Sequence, residues 1–308
     1  MWGFKSKLYS VFVNEDRVLV AGVLALDDLK TPEREGKNLV GGAGVYSSLS
    51  ASMFSDTALI GPVGNDFPFE VLQRMEKRGI DMKSVKIIDV ASFHWSGEYI
   101  GDMEQAITHR TETEILNRFD WHLKNEKRTP RTLLLCNSAP STQLAVIKQV
   151  KAKITAADTM NLWIRTAKEE LDKIVRKVRI MYMNEMESLE YTAETKYERA
   201  AKKILEMGPE YVVIKRGADG SDIISENDYA HIPAFKIERF VDPTGAGDSF
   251  AGASIGWLSQ QNEINFSTVK KSLEIGTVVA SFTVEGMGSE KLWNLTKGDI
   301  EKRINEMK

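Results

Sequence analysis

Cysteine is almost missing from this sequence, and the gap narrows the chemistry open to it. Cys136 is the only one in 308 residues, so no internal disulfide can form and cysteine-rich zinc sites are excluded. Inside the apolar Thr132–Cys136 stretch it reads as a small buried hydrophobe rather than a reactive thiol. Histidine is scarce too: His94, His109, His122 and His231 show no metal-ligand spacing. The chain lacks a basic excess, with a net charge of −3 and no basic tract, so we expect neither nucleic acid nor an anionic membrane as partner. No apolar run approaches the length of a membrane span, and Met1–Lys7 lacks the apolar core of a signal peptide. A soluble, cytoplasmic protein is the expectation. Internal repeats, low-complexity segments and linkers rich in Gly, Ser or Pro are absent as well. What remains is ordinary globular composition, 42% hydrophobic and 28% charged, at a length that suits one large α/β domain or two modest ones.

Along the chain, strand and helix patterns alternate. Arg17–Leu26 reads as a buried strand breaking at Gly22, and Asp27-Asp28 close it as ligand groups or as a solvated turn. Residues 29–38 are polar, carry Pro32 and Gly36, and read as a loop or short exposed hairpin. Gly41-Gly42-Ala43-Gly44 opens a helix with Val45, Leu49 and Met53 on its apolar face, the glycines permitting close backbone approach. Thr57–Gly64 is a strand; a helix from about Pro68 to Arg78 follows, with Asp66 better placed as its N-cap than as a ligand. Phe93, Trp95, Tyr99 and Ile100, with Gly97 and Gly101 between them, suggest short exposed strands. From there the strands are Thr132–Cys136, Lys153–Ala157, Val178–Met183 and Tyr211–Lys215, with helices Thr166–Lys177 and Glu194–Met207 between them. This order predicts a parallel sheet with right-handed crossovers. Its strands end in polar residues: Asp158 to Asn161, then Asn184 to Glu187, then Lys215 to Gly220. Asp158 and Asn161 suit a helix cap or a ligand site equally, and Glu187 suits the first turn of a helix. Val269–Thr283 and Lys297–Lys308 read as helices, the last with Ile300 and Ile304 inward.

The stretch around which the rest is organised is Val241-Asp242-Pro243-Thr244-Gly245-Ala246-Gly247-Asp248-Ser249-Phe250. Phe250, Ala253, Trp257 and Leu258 recur at helical spacing beyond it, which puts Gly245 and Gly247 at a helix N-terminus. Free N–H groups and the positive end of the helix dipole meet there, a ready anion site. Asp248 in such a place makes sense if it faces a substrate hydroxyl and takes its proton during phosphoryl transfer. The plain alternative is an Asp-Pro turn with Asp248 complementing the dipole.

The run Asp-x-Thr-Gly-Ala-Gly-Asp-Ser-Phe resembles the C-terminal signature of the ribokinase-like (PfkB) carbohydrate kinases, and the likeness covers roughly residues 17–295. It implies a doubly wound, mostly parallel α/β sheet flanked by helices, with residues 1–308 as a single domain and a small β-sheet lid from about 29–40 and 85–119. It also implies ATP and Mg2+ as cofactors. The anion hole would be Gly245, Ala246 and Gly247 and the base Asp248, with Thr244 beside the phosphates. Asn184-x-x-Glu187 resembles the family motif that organises the metal's water shell, with Asp242 supporting the turn or that shell. Gly217 and Gly220 resemble the nucleotide-edge turn. The family usually has Thr where this chain has Lys215, so Lys215 or Arg216 becomes a candidate phosphate contact. Val278, Ala280 and Ser281 are candidates for the adenine wall or for core packing.

On the acceptor side the resemblance implies Asp27, Gly41 and Gly42, with His94 and Arg110 reaching from the lid; for His94 an exposed strand position is the competing reading. Many sugar kinases carry Asn four residues after the second glycine, where this chain has Tyr46. The expected activity is ATP-dependent phosphorylation of a small sugar or polyol. Alternatives are a nucleoside or inositol kinase, with Tyr46, Phe93 and Trp95 against the base, a catalytically silent sugar-binding regulator, or a scaffold protein. Unpaired lid edges also suggest a homodimer through the lid.

Overall fold

The computed structural model describes residues 17–101, 103, 106–121, 123 and 129–307; Met1–Lys7 and His122 lie outside them. The first half of the chain runs β1 (Val18–Ala21), β2 (Ala25–Lys30), β3 (Glu35–Gly41), α1 (Ala43–Ala51), β4 (Thr57–Gly64), α2 (Phe69–Lys77) and β5 (Ile80–Ile88). Next come β6 (Phe93–Tyr99), β7 (Ala106–Glu112), α3 (Glu114–Arg118), β8 (Thr132–Leu135), α4 (Pro140–Ile147) and β9 (Ile154–Ala157). Then follow α5 (Asn161–Thr166), α6 (Lys168–Val175), β10 (Ile180–Asn184), α7 (Glu185–Thr192), α8 (Tyr197–Leu205) and β11 (Tyr211–Lys215). The last elements are β12 (Ser221–Ile224), β13 (Tyr229–Ile232), α9 (Ala246–Leu258), α10 (Phe266–Thr283) and α11 (Lys297–Glu306).

Two sheets result. The large one has nine strands in the order β13-β12-β11-β10-β9-β8-β1-β4-β5, parallel except for the β11–β12 and β12–β13 pairs. Alternate strand residues feed two cores. Val18, Val20, Leu134, Tyr182 and Val213 pack with α1, α9 and α10 on one face. Leu19, Ala21, Leu133, Leu135 and Met181 pack with α4, α6 and α8 on the other. Each fully buried aliphatic side chain stabilises by roughly 1.5–3 kcal/mol, so this doubly covered sheet is the rigid base of the molecule. The small sheet has four strands in the order β3-β2-β6-β7 and is the lid of the fold.

The expected α/β architecture holds, with local corrections. Arg17–Leu26 breaks at Gly22 as expected, but its two parts belong to different sheets: Ala25 already pairs with Gly41 and Phe93 in the small one. Asp27 therefore lies inside a lid strand rather than at a core-strand end. Residues 85–88, expected in the lid, pair with β4 at the edge of the large sheet, while 25–28 belong to the lid. The helix expected over Thr166–Lys177 is α6, starting two residues later, and a short α5 that was not expected precedes it, separated by Ala167. Asp66 does not cap α2, whose N-cap is Pro68. Its carboxylate accepts instead from Ser92 N (2.8 Å) and Ser92 Oγ (2.7 Å), tying the end of β4 to the entry of β6. Neither Asp158 nor Asn161 caps α5, which starts after Met160 without a side-chain cap bond.

Candidate active site

The polar ends of β9, β10 and β11 open on one crevice, as strand C-termini do in open α/β sheets, and the first turn of α9 closes it. Gly245 is the N-cap of α9 with φ +75°, and a Cβ there would sit 2.3 Å from the Tyr46 ring. Only glycine meets both demands. The packing that imposes them is α1 against α9: Ser47 Oγ donates to the Asp248 carbonyl at 3.1 Å. The Gly41-Gly42 turn opens α1 with Gly42 as N-cap, and the Tyr46 ring stands between it and the Gly245 turn: a Cβ on Gly41 would lie 3.5 Å from that ring and one on Gly245 2.3 Å from it.

Asp248 occupies the first turn of α9, partly exposed at the crevice mouth. Loss of solvent pushes its carboxyl up to about 7; Asp158 adds to the rise and Lys215 opposes it. Asp27 is buried and pushed up to about 8, chiefly by burial and then by Asp242, against the Gly42 N–H. That rise favours the protonated carboxyl, which can donate a hydrogen bond. Asp242 ties the turn to the loop after α10: Oδ1 accepts from Thr244 N (2.9 Å) and Oδ2 from Gly288 N (2.7 Å). It is a brace of the loop. Thr244 Oγ1 lies 3.4 Å from Tyr99 Oη, joining the turn to the lid.

At the end of β10, Asn184 caps α7 and forms a capping box with Glu187: each side chain takes the other's backbone N–H at 2.7 Å. A cap of this type is worth about 1 kcal/mol, and here it also fixes two oxygens at the crevice. Burial pushes the Glu187 carboxyl up, Lys215 opposing. Lys215 Nζ binds Asp158 Oδ2 at 2.5 Å. Burial works against its ammonium, but Asp158 and Glu187 outweigh it and hold the pKa above the usual lysine value. Arg216 is committed elsewhere, to Glu185 (2.9 Å), Asp222 (3.2 Å) and Asp219 (3.5 Å), with its guanidinium over the Tyr197 ring.

Beside this charged crevice lies a largely apolar cavity of about 590 Å3. Lys215, Gly217, Gly220, Ala246 and Gly247 form its wall toward the α9 turn, and Thr277, Ala280 and Ser281 come from α10. Val278 is fully buried in the core and does not line it. The opposite wall is Phe235, Ile237 and Phe240, from a segment without regular structure; its alternating apolar residues just before the glycine turn were the only sequence signal for it. The cavity size suits a small-molecule cofactor, and the buried Ser221 hydroxyl on its wall has no protein partner.

The lid divides the remaining candidates. Register pairs Asp27 with Leu39 and Trp95, so Phe93, Trp95 and Tyr99 share the face of Asp27. His94 and Arg110 fall on the other face with Asp28: His94 Nε2 is 3.5 Å from Asp28 Oδ1, and Arg110, exposed, pairs with Glu112. The structure thus gathers Asp27, Gly41, Gly42, Tyr46, Thr244 and Asp248 and sets His94 and Arg110 apart. Tyr46 is 1% exposed, and its hydroxyl has no protein partner. Cys136 is buried and its thiol pKa is raised by that burial, as a packing cysteine's would be. Among the described residues no helix is long and apolar enough to cross a membrane.

Known proteins resemble this chain in sequence and in fold. The chain is 28% identical over 254 residues to a cytidine kinase of Thermococcus kodakarensis, covering 79% of this chain and 88% of that protein. Its fold matches the nucleoside kinase of Methanocaldococcus jannaschii, an archaeal member of the ribokinase family, at a TM-score of 0.77 and 18% identity, over 94% of this chain and 98% of that one. An E. coli putative ribokinase II in complex with ATP and Mg2+ matches at 0.77 and 21% identity, over 94% and 99%. The profile of the pfkB family of carbohydrate kinases matches residues 19–294, and the chain belongs to that family.

Proposed function

We propose that this family member moves the γ-phosphoryl group of Mg-ATP to a hydroxyl of a sugar-type acceptor, with the ribosyl group of a nucleoside as first choice. The observation that carries the proposal is the placement of Asp248 in the first turn of α9, on the Gly245–Gly247 turn beside Lys215, where burial raises its carboxyl to about 7. A base poised near operating pH suits removal of an alcohol proton. Asp248 accepts the proton as the acceptor oxygen forms its bond to phosphorus, and the N–H groups of Gly245 to Asp248 hold the charge on the phosphoryl oxygens. Asp27 and the Gly41-Gly42 turn orient the acceptor, and the lid keeps water from competing as acceptor.

The residues present fit the cofactor. The apolar cavity beside Gly217 and Gly220 takes the base and ribose, and its phosphate end meets the α9 turn. Among the described residues no three acidic, His or Cys side chains form a ready metal cage, which suits Mg2+ that keeps its waters and leans on phosphates and one or two carboxylates. Asn184 and Glu187 would orient those waters. When bound, Mg-ATP supplies the phosphoryl group and neutralises charge on the phosphates.

Two observations support a nucleoside: Trp95 and Phe93 stand on Asp27's face of the lid, and the cytidine kinase likeness runs over most of both chains. A free pentose or polyol is favoured by Tyr46, whose buried ring fills space between Asp27 and the Gly245 turn. An ADP-release assay with cytidine, adenosine, ribose, fructose and inositol decides between them. Acceptor-dependent release, strongest with a nucleoside, is expected; no release with any acceptor would revive a silent sugar-binding protein.

A further inference from the structure

Lys215 ends β11 and its side chain runs beneath the first turn of α9: a Cβ on Gly247 would lie 3.1 Å from its Nζ. The only ion-pair partner found for it among the described residues is Asp158, 3% exposed, at 2.5 Å. Of the two cations lining the cavity, Lys215 and Lys236, it is the one against the α9 amides. The adjacent Arg216 is held by three carboxylates. The α9 turn therefore has one lysine ammonium beside it, and that ammonium is neutralised by a carboxylate.

A buried charge needs a partner, and removing one member of such a pair leaves the other stranded. An ammonium has three donors and no fixed geometry, so it can leave one oxygen for another at the same place. We infer that Asp158 and Lys215 form an exchangeable pair, in which Asp158 holds the ammonium beneath the α9 turn until the terminal phosphates of a nucleoside triphosphate take it over. Lys215 then puts on the transferring group a full positive charge, where a threonine would offer only a hydroxyl. Asp158 is a positioning residue in this scheme and Lys215 a catalytic one. The inference rests on the kinase function proposed above.

Calorimetry on the full chain tests it, with AMP-PNP in the presence and absence of Mg2+ and with AMP as control. The neutral pair Lys215→Met/Asp158→Asn avoids a stranded charge. It should weaken AMP-PNP binding by about 10- to 100-fold, the usual worth of a hydrogen bond to a charged group, and change AMP binding by less than about twofold. Asp158→Asn alone should tighten metal-free AMP-PNP, because the competing carboxylate is gone; a purely structural pair would give no such gain. Unchanged AMP-PNP binding by the double variant, or weaker metal-free binding by Asp158→Asn, overturns the inference. Wild-type protein that binds neither AMP-PNP nor ATP would instead sink the kinase function, which keeps the two failures distinct.

Discussion

The phosphate half of the cleft and its acceptor half are built from different materials. Backbone forms most of the first: the Gly245–Gly247 turn at the head of α9, the Gly217–Gly220 turn, and the capping box that fixes Asn184 and Glu187. Side chains form most of the second: Asp27 and Trp95 from the lid and Tyr46 from α1, all placed by strand register and helix packing. Backbone sites depend on glycine and tolerate little change. Side-chain sites can be retuned one residue at a time, and Tyr46, where the family resemblance leads one to expect Asn, is a candidate for such a change. On the proposed function, the reaction would rest on the backbone half and the choice of acceptor on the side-chain half.

The largest expected effect breaks the chemistry where the halves meet. Asp248→Asn should lower kcat by about 10²–10⁴-fold with nucleotide affinity nearly intact, checked by steady-state kinetics and calorimetry on the same preparation. Next comes the backbone half. Gly245→Ala meets a positive φ and the Tyr46 ring together and should cost about 1–3 kcal/mol of stability, read from denaturant melts; adding Tyr46→Asn should recover part of it. A full recovery of activity by that double variant would show that the turn demands less than proposed. Smaller still, Tyr46→Phe removes a hydroxyl that has no protein partner. It should leave the melting temperature unchanged while raising the acceptor KM by about 3- to 10-fold, the worth of one hydrogen bond, with the ATP KM untouched. Smallest is Arg110→Ala: on the far face of the lid and paired only with Glu112 among the described residues, it should shift stability by less than about 0.5 kcal/mol and leave both KM values alone.

The same division explains what the sequence made legible. Thr57–Gly64 and Tyr211–Lys215 form strands with the bounds their apolar runs suggest, because a strand buried on both faces is a continuous apolar run. The glycine turn of α9 was legible because its function needs a contiguous stretch. The break at Gly22 was legible too, but the change of sheet beyond it was not: Val23 to Leu26 are as apolar as Val18 to Val20, and nothing local says that they pair in another sheet. His94 and Arg110 were grouped with Asp27 on residue type, but a period of two separates them, and facing is settled only by pairing across strands. Asp66 looked like a cap because it precedes a helix; its partner, Ser92, lies 26 residues on, just before β6. The Asp158–Lys215 pair spans 57 residues, beyond the reach of any spacing rule.

The central claim is that Asp248 takes the proton of the acceptor alcohol, and the pH dependence of kcat/KM addresses it most directly. Its free-enzyme carboxyl is raised to about 7. The base form is therefore lost as pH falls through that value, and kcat/KM should drop about tenfold per pH unit below it. The residual activity of Asp248→Asn should lack this limb. A wild-type profile that stays flat well below neutrality, or the same limb in Asp248→Asn, would contradict the account.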